Sequence, residues 1–93
     1  MKIVLVDNTE IPVTSVNRSF RPADNVSKES VNLRLLSGID LESVKEKITQ
    51  ENCQTVIVRR DGLDDIVYSD YELMSFNENV SEYDTDVSIT LSK

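Results

Sequence analysis

The chain has 93 residues, ten Lys/Arg against seventeen Asp/Glu, no histidine, and a formal net charge of −7 at pH 7. That length makes one domain, residues 1–93, with no room for a second core. The missing histidine removes Ser–His and Cys–His nucleophile pairs, His-ligated zinc and the usual general base near pH 7, and the negative balance repels nucleic acid and anionic membranes while attracting basic surfaces.

Residues 3–6 are a short apolar run, followed by the polar Asp7-Asn8-Thr9 and a second β-rich run over 10–16. Two such runs around an Asp-Asn tip predict a hairpin. Asp7 cuts the first run too early for a signal peptide. Pro12 has no N–H to donate, so its strand is expected at a sheet edge or at a strand start. Residues 17–30 are polar, with Pro22 and Asn25, and read as one long loop. Residues 31–35 alternate with period two, as a half-buried strand does.

Gly38 breaks that pattern. Asp40 is a good N-cap, Ile39 and Val44 have the spacing of a hydrophobic staple, and Leu41, Val44 and Ile48 share one helical face. A helix of about 11 residues, 41–51, ending at Asn52 in a left-handed turn, is expected. Strand signals then recur at 54–60, 66–68 and 71–76, divided by Asp61-Gly62 and Ser69-Asp70. The alternation slips inside 71–76, which predicts a bulge. Residues 77–86 read as a polar acidic loop, and 87–92 as a closing strand. The connections are mostly too short for parallel crossovers. The predicted fold is α+β: an antiparallel twisted sheet or small split β-barrel of six to seven strands with one α-helix.

The distribution of charge is the strongest functional signal. Residues 1–60 carry nine bases and eight acids, whereas residues 61–92 carry nine acids and no base. The acids are Asp61, Asp64, Asp65, Asp70, Glu72, Glu78, Glu82, Asp84 and Asp86. Together with Tyr83, an interface-type residue inside the acidic run, they are the candidate partner-binding residues. No catalytic, cofactor-binding or metal-binding residues are assigned. Glu82-x-Asp84-x-Asp86 has the alternate spacing that opens a calcium loop, but the glycine and closing glutamate of such loops are missing. With Gly38 and Gly62 as its two glycines, the chain builds no phosphate-cradling loop. Cys53 cannot form an internal disulfide and follows a helix C-terminus, where a thiol pKa rises, so it reads as structural, in a cytoplasmic protein. Tyr68 and Tyr71 read as packing at the edge of the core.

Along most of its length the chain resembles short proteins of phages and prophages of Gram-positive hosts. The resemblance rests on Met1-Lys2-Ile3-Val4-Leu5 and Thr9-Glu10-Ile11-Pro12-Val13, on a helix ending near Glu51-Asn52-Cys53, on Thr55-Val56-Ile57-Val58 followed by Ile66-Val67-Tyr68, and on Tyr71-Glu72-Leu73. It implies a virion- or tail-associated protein, located in the virion or the host cytoplasm. The order of elements is similar to the split barrel with a flanking helix found in phage tail tubes and baseplates, although the long loop of tail-tube subunits is missing. In composition the chain is also similar to anti-CRISPR proteins, which implies carboxylates that imitate a row of phosphates. The sequence-level expectation is a non-enzymatic, phage-encoded protein-binding module whose acidic C-terminal surface meets a basic partner, either a virion subunit or a host nucleic-acid enzyme. It has no cofactor and no direct contact with nucleic acid or membrane.

Overall fold

Period-two apolar residues define the inner face of one sheet. In the computed structural model, which describes residues 1–23 and 26–93, the strands are β1 (Lys2–Val4), β2 (Glu10–Ala23), β3 (Val26–Leu35), β4 (Thr55–Arg59), β5 (Ile66–Ser69), β6 (Glu72–Val80) and β7 (Thr85–Ser92). One helix, α1 (Leu41–Lys47), lies between β3 and β4. The strands form a seven-stranded sheet in the order β5-β4-β1-β2-β3-β7-β6, with every pairing antiparallel. The sheet is not closed. The α+β class, the antiparallel sheet and the single helix therefore agree with the sequence reading.

Ile3, Ile11, Val31, Leu33, Val56, Val58, Ile89 and Leu91 are essentially inaccessible and form the centre of the core. Ile39, Leu41, Val44 and Ile48 pack the helical segment against it. The opposite face of the β2-β3-β7-β6 half carries Ser15, Asn17 and Ser19, then Ser30, Asn32 and Arg34, then Ser88, Thr90 and Ser92, and on β6 Glu72, Ser75 and Asn77, as the pairing register shows. One rung is directly bonded there: Thr90 Oγ1 donates to Asn32 Oδ1 at 2.8 Å.

One link bends this sheet. Strands β5 and β6 occupy opposite edges, yet only Asp70 and Tyr71 separate Ser69 from Glu72. Three peptide steps reach at most about 11 Å. Seven strands laid flat would hold their edges about 29 Å apart at the ordinary inter-strand spacing. The sheet therefore curls until the end of β5 meets the start of β6, with Asp70 in the left-handed region at φ 64°. Gln50 secures the junction: its Nε2 donates to Tyr71 O at 3.3 Å, and Leu73 N donates to its Oε1 at 2.7 Å. Asp70 N donates to Gln54 O at 2.9 Å.

Several expectations are corrected. The loop expected at 17–30 is largely a long hairpin, since β2 runs to Ala23 and β3 starts at Val26; positions 24 and 25 lie outside the described residues. The acidic loop expected at 77–86 is mostly strand, with only 81–84 turning between β6 and β7. Pro12 lies in an interior strand. Val13 N donates to Met1 O on the β1 side, so the missing N–H falls on the β3 side, where the ladder begins only at Val13↔Leu35. The helix spans seven residues, not eleven. Ile48 leaves helical geometry, and Asn52 acts by side chain, its Nδ2 donating to Lys47 O at 2.8 Å. The Asp40 cap does form, with Ser43 N donating to Oδ1 at 3.4 Å and Ser43 Oγ to Oδ2 at 2.8 Å. The bulge in β6 falls between Leu73 and Ser75, leaving Met74 as the extra residue.

Among the described residues no helix is long and apolar enough to cross a membrane. Ile89 is fully buried at the middle of β7, so Ile89→Ala should cost about 2–4 kcal/mol of stability. Met74→Ala at the exposed bulge should cost less than about 0.5 kcal/mol. Urea unfolding measures both.

Candidate functional site

The register separates the nine distal acids into groups. Strand β4 reaches Arg59 opposite Lys2, and β7 pairs Ser88 with Arg34. Strands β4 and β7 both run parallel to β2, so the β4–β5 turn, with Asp61, Asp64 and Asp65, which follows β4, and the β6–β7 tip, with Glu82 and Asp84, which precedes β7, project from opposite ends of the strands. Asp70 and Glu72 lie at the link, at the end of β6 remote from its tip. Glu78 pairs with Val87 and so faces the inner side, whereas Asp86 pairs with Asn79 on the outer side. The structure thus brings Glu78, Glu82, Asp84 and Asp86 onto one hairpin and keeps Asp70 and Glu72 away from them.

Charge neutralisation differs between the groups. Arg59 Nε lies 3.3 Å from Asp65 Oδ2, and Arg60 Nη2 donates to the Asp64 carbonyl at 3.1 Å. Among the described residues no other ion pair reaches the nine acids. The hairpin carboxylates are therefore opposed by no cation. Its turn is nevertheless well built: Ser81 N and Ser81 Oγ both donate to Asp84 O, at 2.8 and 2.9 Å, and Asp84 N donates back to Ser81 Oγ at 3.1 Å. On this turn Tyr83 is 91% exposed and Val80 72% exposed. An apolar pair inside an unneutralised acidic hairpin is poorly explained as a solvated face, which needs charge but not bare Tyr and Val.

A second cluster lies at the opposite end, around residues the sequence reading had put in a loop. Arg18 pairs with Val31 in register and so faces inward. Glu29 and Lys93 exchange backbone hydrogen bonds. Arg18 Nη2 lies 3.0 Å from Glu29 Oε1, and Tyr71 OH donates to Glu29 Oε2 at 2.8 Å. The Lys93 ammonium sits 4.9 Å from the centre of the Tyr71 ring, and Tyr68 packs edge-on to Tyr71 at 6.0 Å. Both tyrosines are partly or wholly covered by the core. The available sequence signal was the alternation Val16-x-Arg18-x-Phe20, which continues the inward-facing register of β2.

The electrostatics follow from these contacts. The hydrogen bond from Tyr71, then that from Arg18, hold the Glu29 carboxyl below its ordinary value of 4.5. Burial, then the neighbouring carboxylate, push the Tyr71 phenol up. The bond to Glu29 and its charge raise the Arg18 guanidinium. Burial raises the Cys53 thiol and so makes it a weak nucleophile. Among the described residues no three metal-ligating side chains converge.

No family model, curated protein or solved structure matches the chain.

Because the Glu29 pKa is depressed in the folded state, its contribution is present above 4.5 and is lost as pH falls through the lower folded value. The wild type should therefore lose more of its thermal stability on acidification below pH 4.5 than Glu29→Gln does, as scanning calorimetry would show. Tyr71→Phe removes a hydrogen bond to a charged acceptor and should cost about 1.5–3 kcal/mol in urea unfolding.

Proposed function

We propose that the chain is a non-enzymatic protein-binding module that docks its β6–β7 hairpin on a cationic protein surface. One observation supports this reading above the others: the exposed Tyr83 and Val80 sit among Glu78, Glu82, Asp84 and Asp86, and none of these acids is in an ion pair among the described residues. Unpaired carboxylates speed association with a cationic partner, and the Tyr–Val pair supplies the dehydrated contact that gives it lifetime. Catalysis has no comparable support, since no His is present.

Within this reading the protein serves a phage as a virion or tail accessory component. The alternative is an anti-CRISPR-type inhibitor whose hairpin imitates nucleic-acid charge, and it draws on the same unpaired carboxylates. The two differ in what they bind: structural subunits in the first case, a nucleic-acid enzyme in the second.

Tagged protein recovered from producing cells should bring down a basic partner at about 0.1 M salt and release it near 0.5 M, where screening is strong. Reversal of Glu78, Glu82, Asp84 and Asp86 to Lys should abolish recovery while thermal unfolding stays cooperative. Recovery that survives the fourfold reversal would contradict the proposal.

A further inference from the structure

The β6–β7 tip and the link lie at opposite ends of β6 and β7. The β6–β7 tip lies past the Arg34↔Ser88 pairing, whereas Lys93 and the link lie past Ser30↔Ser92. Beside the link is a cleft of about 340 Å3, walled by Arg18, Ile66, Val67, Tyr68, Tyr71 and Lys93. Two cations and no carboxylate form its wall in a molecule of net charge −7, and Val67 beside them is 58% exposed. Arg18 spends part of its donor fork on Glu29, which leaves other guanidinium N–H groups for an incoming carboxylate.

The cleft also borders an unpaired backbone. Strand β5 pairs with β4 on one side only; on its outer side Ser69 O accepts from Lys93 Nζ at 3.3 Å, and no strand pairs with the remaining N–H and C=O groups. Strand β6, which carries Glu78 and Val80, is the outermost strand at the opposite edge, and past Leu73, whose N–H donates to Gln50, no strand pairs with its outer side. The acidic, apolar hairpin and the cationic, apolar cleft thus complement each other in charge, in exposed hydrophobic groups and in edge hydrogen bonding. Their positions at opposite ends prevent one molecule from satisfying both itself.

We propose that the cleft beside β5 receives the β6–β7 hairpin of a second copy, so that the chain associates head to tail. Glu82 and Asp84 approach Arg18 and Lys93, while Tyr83 and Val80 cover Ile66 and Val67. The contact is heterologous: each copy offers one hairpin and one cleft, and association continues until the ring closes or a filament grows. This inference rests on the proposed role of the hairpin and names its partner.

Two variants test it, and both leave the core untouched. Glu82→Lys with Tyr83→Ser disables the hairpin, and Val67→Glu disables the cleft. Wild type should sediment as an oligomer larger than a dimer at concentrations near 200 μM and 0.1 M salt, with association weakened at least about tenfold at 0.5 M. Each variant alone should sediment as a monomer. An equimolar mixture should form a 1:1 heterodimer and nothing larger, because it joins one intact hairpin to one intact cleft. A monomeric wild type, or a mixture that stays monomeric, would overturn the inference. So would a dimer indifferent to Val67→Glu. If such a monomer still recovers a basic partner through its hairpin, the proposed function stands and only the second copy is excluded as that partner.

Discussion

The two-residue connection between Ser69 and Glu72 governs the molecule. It joins the outermost strands of a seven-stranded sheet, so the sheet can exist only in a curled form. Curling turns the apolar residues of β1, β2, β3, β4 and β7 toward a shared interior, which the helical segment then covers. Without this link the same residues would line one side of a flat sheet with little to pack against. The junction is accordingly reinforced: Gln50 bonds to the backbone on both sides of Glu72, Asp70 adopts a left-handed backbone, and Tyr71 is 4% exposed beneath Lys93.

Curling also makes the ends of the molecule unequal. Where the edges meet, the core is finished by a polar cluster in which Glu29 accepts from both Arg18 and Tyr71. There the cations are engaged but not exhausted. At the far end of β6 the β6–β7 hairpin extends past the core, and among the described residues its acids are in no ion pair. Along β6 and β7 the acidic tip and the cation-bearing cluster thus lie at opposite ends. That asymmetry favours contact between unlike ends over contact between like ends, because two acidic tips repel each other at low ionic strength.

Strands were legible in the sequence wherever one face met the core. Residues 31–35 and 87–92 alternate because Val31, Leu33, Ile89 and Leu91 point inward while Asn32, Ser88 and Thr90 point out. The same strands became illegible where they leave the core. Past Val31 the inward positions hold Arg18, Phe20 and Glu29, and past Val87 they hold Glu78 and Val80. Both faces of these extensions are then wet, hydrophobic periodicity disappears, and the segments read as loops although the backbone ladder continues. The helix was recognised from its cap and its apolar spacing, but its end depends on Asn52 reaching the Lys47 carbonyl, which composition does not reveal. For the candidate site, the carboxylates and Tyr83 were visible as residues. Their grouping was not, because it depends on which strands share an end. The Arg18–Glu29–Tyr71 cluster joins residues up to 53 positions apart in the chain and left no local trace beyond one short alternation.

The central claim is that the acidic hairpin docks in the cleft beside β5 of a second copy and is not a solvated face. Backbone amide spectra followed from about 10 to 500 μM protein at low salt test it most directly, since this range spans ordinary weak self-association. The account predicts shifts concentrated at residues 80–85 and 66–71, reversed by added salt. Spectra that do not change with concentration, or shifts confined to the Ser/Thr/Asn face of β2, β3 and β7, would contradict it.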